Sequence, residues 1–212
     1  MNSLEGEVIS ERRSTFFTIQ PDFPDLTDGK IDTSKFLDAS RGVVELIERM
    51  GKGFSVVKHD VLGNIEKLNK KYLTNPKKFS HLTDMILFEH SEGRKETKDA
   101  LLWLKRALDF VQVFLGYFIE DFHESNNNGE LTVFLKKAYS NTLRQHHGWI
   151  TQKLFLVVVA VCPSKSQMFS LLALGKDDVD PRIIIEDMET FVRNLSMNLK
   201  VIDQFYLDNN FE

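Results

Sequence analysis

The sequence predicts a single all-α domain over residues 31–212, and three observations carry this prediction. Glycine and proline are sparse, at 11 and 5 of 212 residues, which favours long helices over many short strands. From about residue 35 onward, apolar residues recur with a helical period. The breaks between these periodic stretches are short, so no linker divides the region into two domains.

Residues 1–30 differ from the rest of the chain. They contain the sequence PDFPD and show no helical period, so we expect a loosely ordered arm there. Beyond the arm, the apolar pattern predicts about eight helices. They cover approximately residues 35–50, 54–73, 77–91, 95–122, 130–146, 148–161, 164–175 and 181–209.

Cap and turn residues set the bounds of the first helices. Thr33 and Ser34 are suitable caps for the start of the first helix. The GKG at 51–53 separates it from the second helix, which the TNP at 74–76 stops.

Turn residues also bound the later helices. The NNNG at 126–129 is a loop, Pro163 follows the sixth helix, and Pro181 suits the first turn of the last one. The valine-rich residues 157–161 also fit a buried strand. We predict a helix there, because helices flank the stretch on both sides and the sequence offers no partner strand.

Composition argues against several classes of protein. The net charge of −4 provides no overall basic field for phosphates, so we expect no nucleic-acid partner. Cys162 is the only cysteine, which excludes an intrachain disulfide and fits a reducing compartment. The first 30 residues show no secretory signal, and the longest apolar run, 154–162, is too short to span a bilayer. We therefore expect a cytoplasmic protein.

A polar stripe runs along the second predicted helix. Asp60, Asn64 and Lys67 stand at i, i+4 and i+7, within about 60° of one another around the helix axis. The apolar residues of this helix cluster about 100° further round, so the stripe lies at the rim of the apolar face. Spacing alone leaves two interpretations: a solvated edge with helix-supporting charges, or a polar binding site beside a core.

The fourth predicted helix carries an aromatic stripe of Trp103, Ala107, Phe110, Phe114 and Phe118. Core packing is the ordinary explanation for such a stripe. A tryptophan at its polar end also offers a flat apolar face that can stack on the C–H groups of a sugar ring. Carboxylate and amide groups nearby could then bind sugar hydroxyls, and this type of recognition is selective because unpaired buried polar groups are costly.

Histidines suggest two further interpretations. His147, just before Gly148 and Trp149, could be a core hydrogen-bonding residue, a surface residue or a ligand contact. The pair His59-Asp60 superficially suggests a metal-dependent hydrolase, but adjacent helical residues diverge by about 100° and cannot share one ion. We therefore expect no enzymatic activity, no metal and no cofactor.

Three segments, in this order and spacing, resemble the glycolipid transfer protein family: DVLGNIEKLNKKYLTNP, ALLWLKRALDFVQVFL and HHGWITQKLF. The resemblance covers about residues 35–206. It implies a two-layer sandwich of about eight helices enclosing an apolar lipid tunnel. It also implies a monomer that moves glycosphingolipids, such as glucosyl-, galactosyl- or lactosylceramide, between membranes without covalent chemistry. Its contact with the membrane surface would be peripheral and transient.

The resemblance further implies roles for the polar residues. Asp60 and Asn64 would bind the first sugar, Lys67 would reach a sugar hydroxyl or an anionic substituent, and Trp103 would stack under the ring. His147 would donate to the carbonyl of the ceramide amide, and Asp60 would accept its N–H.

Apolar positions complete the set that the resemblance implies. Trp149 would contact the membrane, as suits a ring with one polar N–H, and Lys153 would face lipid phosphates. The tunnel would be lined by Phe54, Val57, Phe110, Phe114, Leu143 and Phe155.

Two alternatives to a sugar-lipid carrier follow from the same site. A related branch of the family binds phosphate-bearing ceramide and has an arginine where Trp103 stands here. Trp103 and Asn64 favour a sugar head group, whereas Arg106 is common to both branches. The second alternative is a sensor that binds glycolipid but signals through a protein partner.

Overall fold

In the computed structural model, which describes residues 14–124 and 129–211, the chain forms nine α-helices and two short 3-10 turns. The helices are α1 (Phe16–Ile19), α2 (Thr33–Arg49), α3 (Ser55–Thr74), α4 (Leu82–Ser91), α5 (Glu96–His123), α6 (Leu131–Asn141), α7 (Trp149–Ala160), α8 (Lys165–Leu172) and α9 (Pro181–Asp208). The 3-10 turns cover Lys52–Phe54 and Arg144–His146. Extended pairing within these ranges is limited to two isolated bridges, Thr27–Lys30 and Asp32–His81. The all-α prediction is confirmed.

Helix caps follow the sequence signals with one shift. Ser164 caps α8 and shares a reciprocal capping box with Gln167. Pro181 opens α9 behind its cap. The cap of α2 is Asp32, whose carboxylate accepts the N–H of Lys35 at 2.9 Å. Thr33 and Ser34, the predicted caps, are instead the first two residues of the helix.

Helix α4 begins at Leu82, five residues later than the sequence predicts. Backbone pairing with the start of α2 explains the delay. The N–H of Thr33 donates to the carbonyl of Ser80 at 2.9 Å, and the N–H of Leu82 donates to the carbonyl of Ile31 at 3.0 Å. These bonds keep residues 80 and 81 outside the helix, so that Leu82 is its first residue.

Helix α6 ends at Asn141, whereas the sequence predicts a helix to residue 146. The Thr142 hydroxyl donates to the carbonyl of Ala138 at 2.7 Å, a local side-chain bond of the kind that competes with helical bonding. The chain then makes the 3-10 turn at 144–146, which places His147 in an extended conformation before α7.

Residues 14–30 are more ordered than the sequence predicts. The helix α1 buries Phe16 and Phe17, and Phe23 is buried beyond it. The ring of Phe17 lies 5.1 Å from that of Phe191 on α9, and Phe23 lies 5.7 Å from Phe36 on α2. The prediction of a loosely ordered arm is wrong for this part, because single phenylalanines can be buried without helical periodicity. Residues 1–13 lie outside the described ranges.

Helix α5 is the central element, since it packs against α3, α4, α6 and α9. Its most deeply buried residues form a stripe at helical spacing. They are Leu101, Leu104, Leu108, Leu115 and Phe118, each 0% exposed.

No single described helix is long and apolar enough to cross a membrane. Helices α7 and α8 together meet the length and composition requirement, but they are bent by 84° at the break between them.

A buried carboxylate joins α4 to the start of α5. Glu89 is 3% exposed, and its carboxylate accepts the backbone N–H of Thr97 at 2.7 Å and also bonds the Thr97 hydroxyl. One of the four unpaired N–H groups at the start of a helix is thereby satisfied, and negative charge there is favourable.

We expect Glu89→Ala to lower the free energy of unfolding by about 1–3 kcal/mol, because it leaves the buried Thr97 N–H unpaired. Urea unfolding followed by circular dichroism measures this. Glu120→Ala, which removes an exposed carboxylate from α5, is the control and should stay within about 0.5 kcal/mol of wild type. Equal stability of the two variants would show that the contact contributes nothing.

Candidate functional site

The facing sides of α3 and α5 bring the first predicted residues together. Asn64 on α3 is 6% exposed, and its side-chain N–H donates to the backbone carbonyl of Asp60 at 3.0 Å. The carboxylate of Asp60 itself lies on an exposed residue one turn earlier. An amide held in place beside an accessible carboxylate can offer both donors and acceptors to a polar ligand.

Trp103 lies at the edge of the core. It is half-buried and, unlike Ala107 and Phe110 one and two turns further along α5, it is not packed into the hydrophobic cluster of the described residues. Its ring is nearly parallel to that of His147, with an interplanar angle of 22° and a centroid separation of 6.0 Å. The guanidinium of Arg106 lies 4.9 Å from the ring centroid.

Burial and nearby charged groups shift the pKa of His147. Burial lowers the pKa of its imidazole below the ordinary value of 6.5, and the nearby charges of His146 and Arg106 lower this pKa further. The carboxylate of Asp60 opposes them by raising it. The Nδ1 atom of His147 lies 3.0 Å from the hydroxyl of Tyr139. Because a neutral imidazole carries one N–H, a hydrogen bond at Nδ1 influences which of the two ring nitrogens holds the proton.

Tyr139 is a site residue that the sequence analysis missed. It lies on α6, and its ring stacks on that of Phe155 with centroids 3.7 Å apart and an angle of 9°. Desolvation by burial raises the pKa of its phenol. A break in the helix separates it from His147, so no helical spacing in the sequence connects the two.

Three of the six predicted tunnel residues form one group of rings. Phe110 lies 6.2 Å from Phe155 at right angles, and 6.4 Å from Phe114 with nearly parallel planes. Phe54 and Phe114 are buried in the core. Of the other two, Val57 packs on that core, and Leu143 is half-buried beside the α6–α7 connection.

Lys67 is the last residue of the polar stripe on α3. It is exposed on α3, one turn beyond Asn64, and it lines a separate cavity between α3, α4 and the start of α5.

Helix α7 exposes most of its apolar side chains. Trp149 is 68% exposed, and the ammonium of Lys153 lies 4.9 Å from the centroid of its ring. Ile150, Leu154, Leu156 and Val157 are also exposed, whereas Val158 and Val159 are buried. An exposed apolar surface of this kind marks contact with a membrane or a partner.

Within residues 14–124 and 129–211, no group of three or more His, Cys, Asp and Glu side chains is arranged to hold a metal ion.

Comparison with known proteins gives consistent results. The sequence profile of the family described as Glycolipid transfer protein (GLTP) matches residues 31–174. Glycolipid transfer protein A of Xenopus laevis is 34% identical over 196 residues, which cover 87% of this chain and 91% of that protein. Pleckstrin homology domain-containing family A member 8 of Mus musculus is 32% identical over 94% of this chain. This chain spans only 39% of that relative's length.

Solved structures agree with the sequence matches. The GLTP-fold of FAPP2, reported to select simple glycosphingolipids, superposes with a TM-score of 0.83 at 30% identity and covers 94% of this chain and 98% of that one. Mouse ceramide-1-phosphate transfer protein gives a TM-score of 0.76 at 19% identity, covering 92% of this chain and 93% of that one, which shows a common fold alone. The fold, the match over residues 31–174 and the full-length relative together show that this chain belongs to the glycolipid transfer protein family.

Proposed function

We propose that this protein binds glycosphingolipids and carries them between membranes by binding alone. The observation that carries the proposal is the position of Trp103. Its indole lies outside the core, next to the imidazole of His147 and the guanidinium of Arg106. A flat apolar ring surrounded by hydrogen-bonding groups suits a sugar, which has C–H groups on its faces and hydroxyls around its edge.

The head group binds at the rim between α3 and α5. Asp60 and Asn64 accept and donate hydrogen bonds to the first sugar, while Trp103 stacks on its ring. Lys67, further along α3, reaches an outer hydroxyl or an anionic substituent. A neutral sugar is favoured over a phosphate because the exposed Asp60 carboxylate would repel a second negative charge nearby.

The ceramide amide binds between Asp60 and His147. We assign the proton of His147 to Nε2, where it is available to the amide carbonyl. In this assignment the Tyr139 hydroxyl, 3.0 Å from Nδ1, is the donor of that contact. Asp60 accepts the amide N–H. This pairing satisfies both polar groups of the amide at the mouth of an apolar region.

The lipid chains occupy the space between the aromatic rings. Phe110, Phe114 and Phe155 pack against one another, and they separate to admit a chain between the walls formed by Phe54, Val57 and Leu143. Apolar contact with the chains then replaces contact among the rings.

Docking uses the exposed face of α7. The indole of Trp149 enters the lipid interface, and the ammonium of Lys153 beside it meets lipid phosphates. A sensor that signals through a protein partner would use the same site. The number of lipids moved per protein molecule distinguishes a carrier from a sensor, because a carrier present in catalytic amount moves many lipids.

Transfer of labelled lipids between vesicles tests the carrier proposal. We expect catalytic amounts of protein to transfer glucosylceramide in preference to ceramide phosphate. Trp103→Ala should slow glucosylceramide transfer about tenfold, because loss of one stacking surface is worth about 1–2 kcal/mol.

Trp103→Phe is the control for this experiment, since it keeps a flat ring and should retain most of the transfer rate. If Trp103→Ala instead loses its helical circular dichroism, the indole serves packing, and its assigned role is wrong. Faster transfer of ceramide phosphate by the wild type would contradict the choice of head group.

We expect the charges around His147 to move its pKa in opposite directions. Asp60→Asn should lower this pKa further, and Arg106→Gln should raise it, because the first change removes an anion and the second a cation. Titration of the imidazole resonances by NMR measures both shifts.

The sign of the pH dependence follows from the same shift. The folded-state pKa of His147 lies below 6.5, so its contribution to stability is fully present above pH 6.5 and is lost as the pH falls through the folded-state pKa. An unfolding free energy that does not decline more steeply with acid in wild type than in His147→Gln would contradict this assignment.

We expect Trp149→Ala to weaken adsorption to phosphatidylcholine vesicles about tenfold, since partial burial of a large aromatic ring is worth about 1–2 kcal/mol. Sedimentation with the vesicles measures it. Leu207→Ala, which removes another exposed apolar side chain from α9, should leave adsorption unchanged. A change in head-group preference without a change in adsorption would mean that Trp149 contacts ligand rather than membrane.

A further inference from the structure

A cationic cavity lies next to the proposed head-group site. It has a volume of about 440 Å³ and is enclosed by the second half of α3, the end of α4 and the start of α5. Five cationic side chains line it: Lys67, Lys70, Lys71, Lys78 and Arg94. Three carboxylates also line it, which leaves an excess of two positive charges in a chain whose net charge is −4.

The carboxylates of this cavity are largely engaged. Glu89 bonds the backbone and hydroxyl of Thr97. Glu92 pairs with Arg94 and lies 3.4 Å from the ammonium of Lys71. Among the described residues Lys67 and Lys70 form no ion pair. The uncompensated charge is therefore cationic and is available to a ligand.

Aromatic rings form one wall of the cavity. Phe79 is buried, and Phe88 is half-buried beside it with ring centroids 5.4 Å apart. The ammonium of Lys78 lies 3.1 Å from the centroid of Phe88, and that of Lys71 lies 5.0 Å from the same centroid. The cavity thus combines apolar ring surface with cations, and this combination suits a sugar that carries a negative charge.

Helix geometry connects this cavity to the first-sugar site. Lys67 follows Asp60 by seven residues on α3, which is about 10 Å along the helix axis. On α5 the cavity residue comes first in the chain: Glu96 lines the cavity, and Trp103 follows it by seven residues. Both walls therefore place the cavity about 10 Å from the first sugar, within reach of an outer sugar of the same head group.

We infer that this cavity binds the acidic outer sugar of a glycosphingolipid, with its carboxylate or sulfate held by Lys70 and Lys78. This inference rests on the proposed function and extends it from simple head groups to acidic oligosaccharides. The first sugar binds at Asp60, Asn64 and Trp103, and the outer, charged sugar binds about two helical turns further along α3.

Transfer between uncharged phosphatidylcholine vesicles tests the inference. Two lipids of equal length are compared: lactosylceramide extended by sialic acid, and lactosylceramide extended by uncharged galactose. At low ionic strength wild type should transfer the acidic lipid about three- to tenfold faster, as expected for two exposed charge contacts, and salt should reduce this advantage.

The double variant Lys70→Gln/Lys78→Gln should abolish the advantage and leave transfer of the neutral lipid within about twofold of wild type. Lys35→Gln/Lys200→Gln removes two exposed ammonium groups outside the cavity and should change neither rate. Glucosylceramide, measured alongside, reports on the proposed function alone, because its single sugar does not extend to the cavity.

Three outcomes would overturn the inference. The first is the absence of an advantage for the acidic lipid in wild type, and the second is an equal loss for both lipids in the double variant. The third is a loss that appears only when the experiment is repeated with vesicles that contain anionic phospholipids, which would mean that Lys70 and Lys78 contact membrane phosphates.

Discussion

The packing of α3 against α5 is the interaction on which the candidate site depends. The leucine stripe of α5 anchors that helix in the core, and the neighbouring stripe runs from the core's edge at Trp103 to buried positions at Phe114 and Phe118. Trp103 belongs to this second stripe and is therefore held in place without being enclosed. Asp60 and Asn64 occupy the equivalent rim of α3. One helix pair thus gives both a packed interior and an exposed polar margin, since a helix presents different side chains every 100°.

Charge is balanced around Trp103. Asp60 and Arg106 act on the imidazole of His147 with opposite signs, and burial disfavours its cation. The site therefore combines an anion, a cation and an imidazole with a lowered pKa, and each of these groups can form hydrogen bonds. The cationic cavity along α3 contrasts with it, because two of its three carboxylates are already bonded and positive charge is in excess. The two regions differ in the ligand chemistry that they favour, although they share the same two helices.

Local sequence signals predicted the helices well and predicted long-range contacts poorly. Ser164 and Pro181 mark helix starts through bonds and dihedral angles that involve only their neighbours, so the sequence is sufficient to find them. The late start of α4 depends on backbone bonds between residues 31–33 and 80–82, which no local pattern encodes. The candidate site shows the same difference between local patterns and long-range contacts. The polar and aromatic stripes are periodic and visible, whereas Tyr139 reaches His147 across a helix break.

Tyr139 joins two parts of the molecule to which we assign different parts of a lipid. Its ring stacks on Phe155, and its hydroxyl contacts the imidazole of His147. In the proposed function, a hydrocarbon chain that displaces Phe155 also disturbs Tyr139, the partner of the residue that we assign to the ceramide amide. Such a link is reciprocal as a matter of thermodynamics. The affinity for the hydrocarbon chain and the affinity for the polar part of the lipid are then not independent, and the protein's preference among lipids depends on both together.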